Sequence, residues 1–321
     1  MYKHFIAALA AAFLCFIGTI AAQTEHNCMT TAQIFDHCKG NPKKVFELVA
    51  QKKLDYLDVQ TFVSNSLLNH QYNDFAHKVI AAYWENLAPQ ERYYISNHRF
   101  LDKYPPFMQL KDGLLVLDER LEFIFKHKDK MIKYNSSTDL TKYLSGKLCG
   151  NYLETSKFIG ERKLTTSSQK KAAFQPYFNQ IATLAPECKD YVEAHYYTVF
   201  VYNIRTETKE YARWASIYLD MGHRLETFND GAAHLYAATA KEIIYYSKDK
   251  ELLLSALDMV NKAAKIETRF DYALTKAKIF ALLGEKDKAK QTYNEACKTL
   301  KPIKIRDDDY HKEVKGIIDK L

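Results

Sequence analysis

Apolar positions recur along most of the chain at the three- and four-residue spacing of amphipathic helices. Leu114, Leu117, Leu121 and Ile124 form one such stripe, with Asp112 ahead of it as a candidate N-cap. Only 10 Gly and 7 Pro interrupt 321 residues, which is too few for the turns of a many-stranded sheet. The pattern predicts an all-α fold of about a dozen or more helices and no sheet.

Two stretches refine this prediction. The segment YTVFVY at 197–202 resembles a strand in propensity, but it lies inside a longer helical pattern, and we expect it to be helical. The polar stretch GERKLTTSSQKK at 160–171 is the longest internal break. We therefore expect an N-terminal helical region at 23–160 and a second helical region at 161–321.

The second region contains a candidate repeat. Ala256, Val260 and Ala263 each lie 33 residues before Ala289, Tyr293 and Ala296, close to the tetratricopeptide period of about 34. Small residues let the two helices of a hairpin approach closely, and an aromatic ring fills the gap beside them. The spacing predicts antiparallel helical hairpins stacked as a tetratricopeptide-like solenoid, with 310–321 as a capping helix. The residues assigned to repeat packing are Ala256, Val260, Ala263, Ala277, Phe280, Gly284, Ala289, Tyr293 and Ala296.

The first 22 residues are typical of an export signal. A basic start, MYKH, precedes the apolar run FIAALAAAFLCFIGTI and the small residues AA. Cleavage after Ala22 would give a periplasmic or secreted protein, whereas an uncleaved segment would anchor it to the membrane; a lipid anchor on Cys15 fits less well. The net charge then changes from +7 to 7 − 1 = +6, spread along the chain, which argues against a nucleic-acid partner.

Five cysteines remain after cleavage at Ala22. An odd number in an oxidising compartment leaves at least one thiol free or intermolecular. Cys28 and Cys38 are the closest pair and form a candidate disulfide, although burial as small apolar residues is the other interpretation. The remaining three are Cys149, Cys188 and Cys297.

The helical segments 107–134 and 197–220, together with 252–298, resemble the helical C-terminal region of exported bacterial thioredoxin-family proteins. The resemblance covers roughly residues 45–300 and implies a tetratricopeptide-like array and an envelope location. The chain departs from that family in lacking Trp-Cys-x-x-Cys, so no redox residue is carried over from it.

Searches for catalytic and metal-binding motifs find no His-Glu-x-x-His, no paired Cys-x-x-Cys, no Gly-x-Ser-x-Gly and no phosphate-binding glycine loop. We therefore expect a non-catalytic protein without a cofactor or metal, which binds a protein or peptide partner in the cell envelope. An accessory role in a thiol-redox system and an uncharacterised hydrolase on a helical scaffold remain as alternatives. The 23 tyrosines could serve a groove, but packing explains most of them more simply.

Overall fold

The computed structural model describes residues 29–68, 72–103, 109–111, 113–150, 152–228, 231–300 and 307–321. The chain forms two compact units, Met1–Ala88 and Pro89–Leu321. The candidate signal segment at 1–22 and Cys28 lie outside the described residues, so the predicted cleavage and the predicted disulfide stay predictions.

The first unit consists of short helices. Each of the first three begins at a side chain that accepts a hydrogen bond from the first turn, namely Thr30, Asn41 and Asp55. Their apolar faces bury Val45, Phe62 and other large side chains. The helices are α1 (Thr31–Cys38), α2 (Pro42–Ala50), α3 (Tyr56–Leu67) and α4 (Asn73–Tyr83).

The second unit begins with a 3-10 turn at Glu91–Tyr93 and is helical apart from one β-hairpin. Its strands are β1 (Gln109–Lys111) and β2 (Leu114–Val116). The helices before and around the middle of the unit are α5 (Ile95–Leu101), α6 (Glu119–Tyr134), α7 (Ser137–Leu148), α8 (Tyr152–Glu161), α9 (Ser167–Leu184) and α10 (Pro186–Tyr196). The later helices are α11 (Thr208–Arg224), α12 (Ala232–Tyr246), α13 (Lys250–Ile266), α14 (Phe270–Leu282), α15 (Lys286–Thr299) and α16 (Asp307–Ile318).

The β-hairpin corrects the prediction that the chain has no sheet and that 114–124 is one helix. Gln109 pairs with Val116 and Lys111 with Leu114, while Gly113 in the connection has a φ of +78°. On the other edge of β2, the side-chain amide of Gln180 exchanges two hydrogen bonds with the Leu115 backbone, at 2.8 and 3.1 Å. These bonds occupy backbone groups that a helix would have used within itself.

Helix α6 consequently starts later than the stripe of leucines suggested. The carboxylate of Asp118 accepts a hydrogen bond from the Leu121 backbone at 2.8 Å and caps the helix, whereas Asp112, the predicted N-cap, lies outside the described residues. Leu121 and Ile124 are buried as expected of an amphipathic helix, whereas Leu114 in β2 is 45% exposed.

Helices α6 to α10 and the segment 197–202 enclose what we call the aromatic core. Its fully buried rings include Phe174, Tyr177, Phe178 and Tyr196, and the Phe178 ring lies in edge contact with those of Tyr196 and Tyr197. Residues Tyr197–Val201 form a π-helical turn, in agreement with the predicted helix over this segment. The polar stretch at 160–171 lies within this part of the unit, between Phe158 and Phe174, which belong to the same core.

Helices α12 to α15 form two successive hairpins that we call the alanine-packed hairpins. Each helix packs against the next, and α16 packs against α14. Gly284 has a φ of +79° just past α14, and the Glu285 amide donates to the Phe280 carbonyl at 2.9 Å, which closes the helix end. On α16, Val314 and Ile318 are buried in the same cluster as Phe270 and Leu274.

The structure confirms the predicted all-α class, because helices dominate the described residues and pack on their neighbours as in a helical-repeat fold. The hairpin is the exception to that pattern. Within the same residues, no helix combines the length and the apolar sequence that a membrane span requires.

A candidate binding face on the C-terminal helices

The residues assigned to repeat packing lie on the inner sides of α13, α14 and α15. All but Phe280 and Gly284 are buried. Phe280 is partly buried against the cluster of α14 to α16, and Gly284 forms the turn. These side chains are occupied in holding helices together. They position a surface, and they are not the groups that could contact a partner.

The first helices of the hairpins, α12 and α14, share one face with α16. Lys241 and Tyr245 are one turn apart on one side of α12. Lys248 follows the end of the helix, where Lys278 and Glu313 act on it. Helix α14 contributes Lys278, and α16 contributes Tyr310 and Glu313. We call these six residues the lysine face.

Tyr310 lies at the centre of this face. The Lys241 ammonium is 4.8 Å from the centroid of its ring and the Lys278 ammonium is 5.4 Å from it, so two cations flank one aromatic ring. The Tyr310 hydroxyl donates to Thr275 Oγ1 at 3.2 Å, and the Thr275 hydroxyl donates to the Asp271 carbonyl at 2.7 Å. The ring is therefore fixed to α14 before any partner arrives.

Two carboxylates neutralise part of the positive charge. Asp271 Oδ2 is 3.1 Å from Lys241 Nζ, and Asp271 Oδ1 is 3.0 Å from Arg269 Nε. Burial alone would raise the pKa of Asp271, but Lys241 and Arg269 together hold it below its ordinary value. Glu313 Oε1 lies 2.5 Å from Lys278 Nζ. Lys241, Arg269 and Lys278 thus pair with two carboxylates, and Lys248 adds a fourth positive charge.

Lys248 is the unbalanced charge. It is exposed, and among the described residues its ammonium makes no ion pair; it donates to the Ile244 carbonyl at 2.8 Å, which caps the end of α12. Partial desolvation lowers its pKa, and the neighbouring Lys278 lowers it further, with Glu313 acting in the opposite direction. An anion bound beside Lys248 would offset the repulsion between the Lys248 and Lys278 ammonium groups.

Aromatic surface adds to the face. Tyr245 is 74% exposed, and its ring makes an edge contact with that of Tyr246 at 4.9 Å. By contrast, Tyr196 and Tyr197 are buried in the aromatic core. The tyrosines of the chain therefore divide between packing and surface, and the exposed pair lies on the helix that carries Lys241.

A second polar cluster lies in the same unit and links α6 and α7 to the end of α5. Asp102 accepts hydrogen bonds from Arg120 at 3.2 Å, Lys147 at 2.6 Å and Tyr143 at 2.8 Å. Burial and Asp102 raise the pKa of Tyr143. The Lys147 side chain is only 7% exposed, so this arrangement joins three helices internally and offers a partner little surface.

The sequence search did not identify the lysine face. Lys241 and Lys278 lie 37 residues apart, whereas the packing residues repeat at 33, so the repeat spacing does not pair these two lysines. The search instead matched the second helices, where small packing residues repeat strictly. Cys38 is buried at the end of α1, and no group of three His, Cys, Asp or Glu side chains in the described ranges could hold a metal ion.

Comparison with known proteins finds no match: no family model, no curated protein and no solved structure matches this chain. The resemblance to the helical region of exported thioredoxin-family proteins consequently stays a prediction from sequence.

Proposed function

We propose that this chain is an exported helical-repeat protein that binds an acidic protein segment on the lysine face and catalyses no reaction. The observation that supports the proposal is the unbalanced positive charge at Lys248 beside two cations that flank Tyr310. Carboxylates of a partner would pair with the exposed Lys248 ammonium and the partly exposed Lys241 ammonium, whereas Lys278, only 8% exposed, adds positive charge from beneath. The exposed ring of Tyr245 would contact the partner's apolar side chains.

The physical mode is electrostatic attraction followed by docking on a preformed surface. Because Tyr310 is hydrogen-bonded to Thr275 and flanked by two lysines, little side-chain ordering is required there when a partner binds. Exposed charges are screened by salt, with a Debye length of about 10 Å at 0.1 M ionic strength. Binding on this face should therefore weaken as salt rises.

The test uses a fluorescein-labelled peptide of alternating Glu and Leu, and a matched peptide with Gln in place of Glu. Fluorescence anisotropy with the chain lacking residues 1–22 should show tighter binding of the Glu peptide, lost progressively between 50 and 300 mM NaCl (roughly 14 to 6 Å of screening length). Lys248→Gln should weaken binding by about 3- to 10-fold, equivalent to about 0.7–1.4 kcal/mol.

Lys290→Gln is the matched control, because Lys290 is an exposed lysine on α15, a second helix of the array. Its affinity for the Glu peptide should stay at the unsubstituted value. Equal loss in both variants would assign the binding to general positive charge. Equal affinity for the Glu and Gln peptides would refute recognition of an acidic segment.

A further inference from the structure

A second group of reactive side chains lies where α15 meets α16, and the lysine face does not use it. Cys297 is exposed in the last turns of α15, and its Sγ lies 3.9 Å from Nε2 of His311 on α16. The Tyr293 hydroxyl lies 2.8 Å from the same nitrogen. A thiol, an imidazole and a phenol thus converge at the surface.

Packing of the helices holds this geometry. Tyr293 precedes Cys297 by one helical turn, so both side chains face α16. The His311 ring makes an edge contact with the Phe270 ring of α14, with centroids 5.2 Å apart. Val314, one turn after His311, is fully buried and anchors α16. The imidazole is therefore placed by three helices and does not move freely.

Tyr293 and His311 are titratable groups beside the thiol. Burial first, and then Cys297 and Asp319, raise the pKa of Tyr293 to about 12, so the phenol is neutral at ordinary pH. A neutral phenol does not take up a proton, so His311 Nε2 is the proton acceptor within reach of the Cys297 thiol.

The other thiols in the described residues contrast with Cys297. Cys38, Cys149 and Cys188 are buried, and burial raises the pKa of Cys38 and of Cys188 to about 11 and that of Cys149 well above its usual value. A buried thiol that resists ionisation is a poor nucleophile and is closed to reagents. They serve as internal controls within the same chain.

We propose that Cys297, with His311 as its proton acceptor, is a modification site at which the protein forms a mixed disulfide with small, accessible disulfide compounds. The Cys297 sulfur attacks one sulfur of R–S–S–R while its proton passes to His311 Nε2. The new bond is Cys297 S–S–R, and the broken bond is that of the reagent, whose second sulfur leaves as RS⁻ and takes the proton back from His311. Cys297 is oxidised from thiol to disulfide and one reagent sulfur is reduced to thiol, so no other oxidant is needed.

The assignment gives the thiol-redox alternative a specific residue, and it stands independently of acidic-segment binding. The reduced chain lacking residues 1–22 is mixed with oxidised glutathione at pH 7, quenched with acid and digested, and mass spectrometry locates the added glutathione. We expect Cys297 to be modified first, at roughly ten times the rate of the same cysteine in the urea-unfolded chain. Cys38, Cys149 and Cys188 should react only after unfolding.

His311→Gln should lower the rate at Cys297 by about tenfold at pH 7, and His223→Gln, which alters an exposed histidine on α11, should leave it unchanged. A rate at Cys297 that is the same in both variants, or no faster than in the unfolded chain, would overturn the proposal.

A pH profile of the unsubstituted protein gives a second readout in case His311→Gln does not fold. Histidine assistance predicts that the rate at Cys297 changes by less than about threefold between pH 8 and 7, because an imidazole that accepts the thiol proton removes the need for free thiolate. An unassisted thiol would lose about tenfold in rate per pH unit below about 8.5, and that slope would count against the role of His311.

Discussion

The aromatic core and the alanine-packed hairpins belong to one compact unit but are built on opposite principles. In the hairpins, Ala256, Ala263 and Ala289 are fully buried, and their small size allows adjacent helices to approach closely. In the aromatic core, large rings such as Phe174 and Phe178 fill the gaps between helices at varied angles.

This difference explains where the regular geometry breaks. The aromatic core contains the π-helical turn at Tyr197–Val201, and α6 in the same region has a non-helical residue at His127. Helices α13 to α15 have no such interruption. Packing through small residues requires strict spacing along the helix, whereas packing through rings tolerates local departures from it.

The largest effect that tests the comparison is the loss of a ring from the aromatic core. Phe178 has no exposed surface, and Phe178→Ala should lower the free energy of unfolding by about 3–5 kcal/mol, because the cavity would be only partly filled by relaxation. Urea unfolding followed by circular dichroism measures the change. Tyr245→Ala, at a ring that is 74% exposed, should change stability by about 0.5 kcal/mol or less.

Acid should weaken the aromatic core by a similar amount. Burial lowers the pKa of His98 and of His195 to about 4, against an ordinary value of 6.5. Because the folded state binds these protons less tightly than the unfolded chain, the stability is fully present above pH 6.5, decreases as pH falls and is lost near pH 4. For fully buried His98 the difference of 2.5 units corresponds to about 3 kcal/mol.

Measuring the free energy of unfolding between pH 7 and pH 4 checks this window. His195 is surrounded by the rings of Tyr196, Phe200 and Tyr218, so His195→Phe should fold at pH 7 and show a shallower acid slope, by about one proton. His223→Gln, on the exposed side of α11, should keep the original slope. An unchanged slope in His195→Phe would contradict the assignment.

Overfilling an alanine position gives the next effect. Ala263→Leu should lower the free energy of unfolding by about 1–3 kcal/mol, because two helices cannot separate without losing contacts elsewhere. Ala264 on the same helix is exposed, and Ala264→Leu is the matched control, with an expected change within about 0.5 kcal/mol. Equal stability of the two variants would refute the idea that the buried alanines allow the helices to approach closely.

Removal of a helix cap should change the free energy of unfolding least, and by the same amount in the aromatic core and in the alanine-packed hairpins. Asp249 accepts hydrogen bonds from the Glu251 and Leu252 amides at the start of α13, and Thr166 forms a capping box with Gln169 at the start of α9. Asp249→Ala and Thr166→Ala should each lower the free energy of unfolding by about 1 kcal/mol. A much larger loss at either site would show that the cap also carries tertiary contacts.

The predictability of the fold follows the same division. The 33-residue match between α13 and α15 could be recognised in the sequence, because alanines at a helix crossing cannot be replaced by larger residues without a clash. The β-hairpin was missed, because Leu114 and Leu117 continue a helical spacing by chance of composition. The strand there is held by pairing with β1 and by Gln180, which lies 65 residues away and bonds to Leu115.

The candidate sites were less predictable than the fold. Lys241, Lys278 and Tyr310 are separated by 37 and 32 residues, and none of them belongs to a recognisable motif. Their relation depends on the stacking of α12, α14 and α16. Cys297 and His311 are likewise unremarkable in sequence, since neither belongs to a motif, and they meet because α16 packs against α14 and α15.

Local pattern alone was enough to specify the helices and the small-residue contacts between neighbours, because helix formation and close crossing depend on residues within about one period of the repeat. Which charges meet, which thiol stays accessible and where backbone groups find partners outside their own segment were settled by three-dimensional packing. Those properties arise from contacts between residues far apart in the chain, and burial and electrostatics act through space.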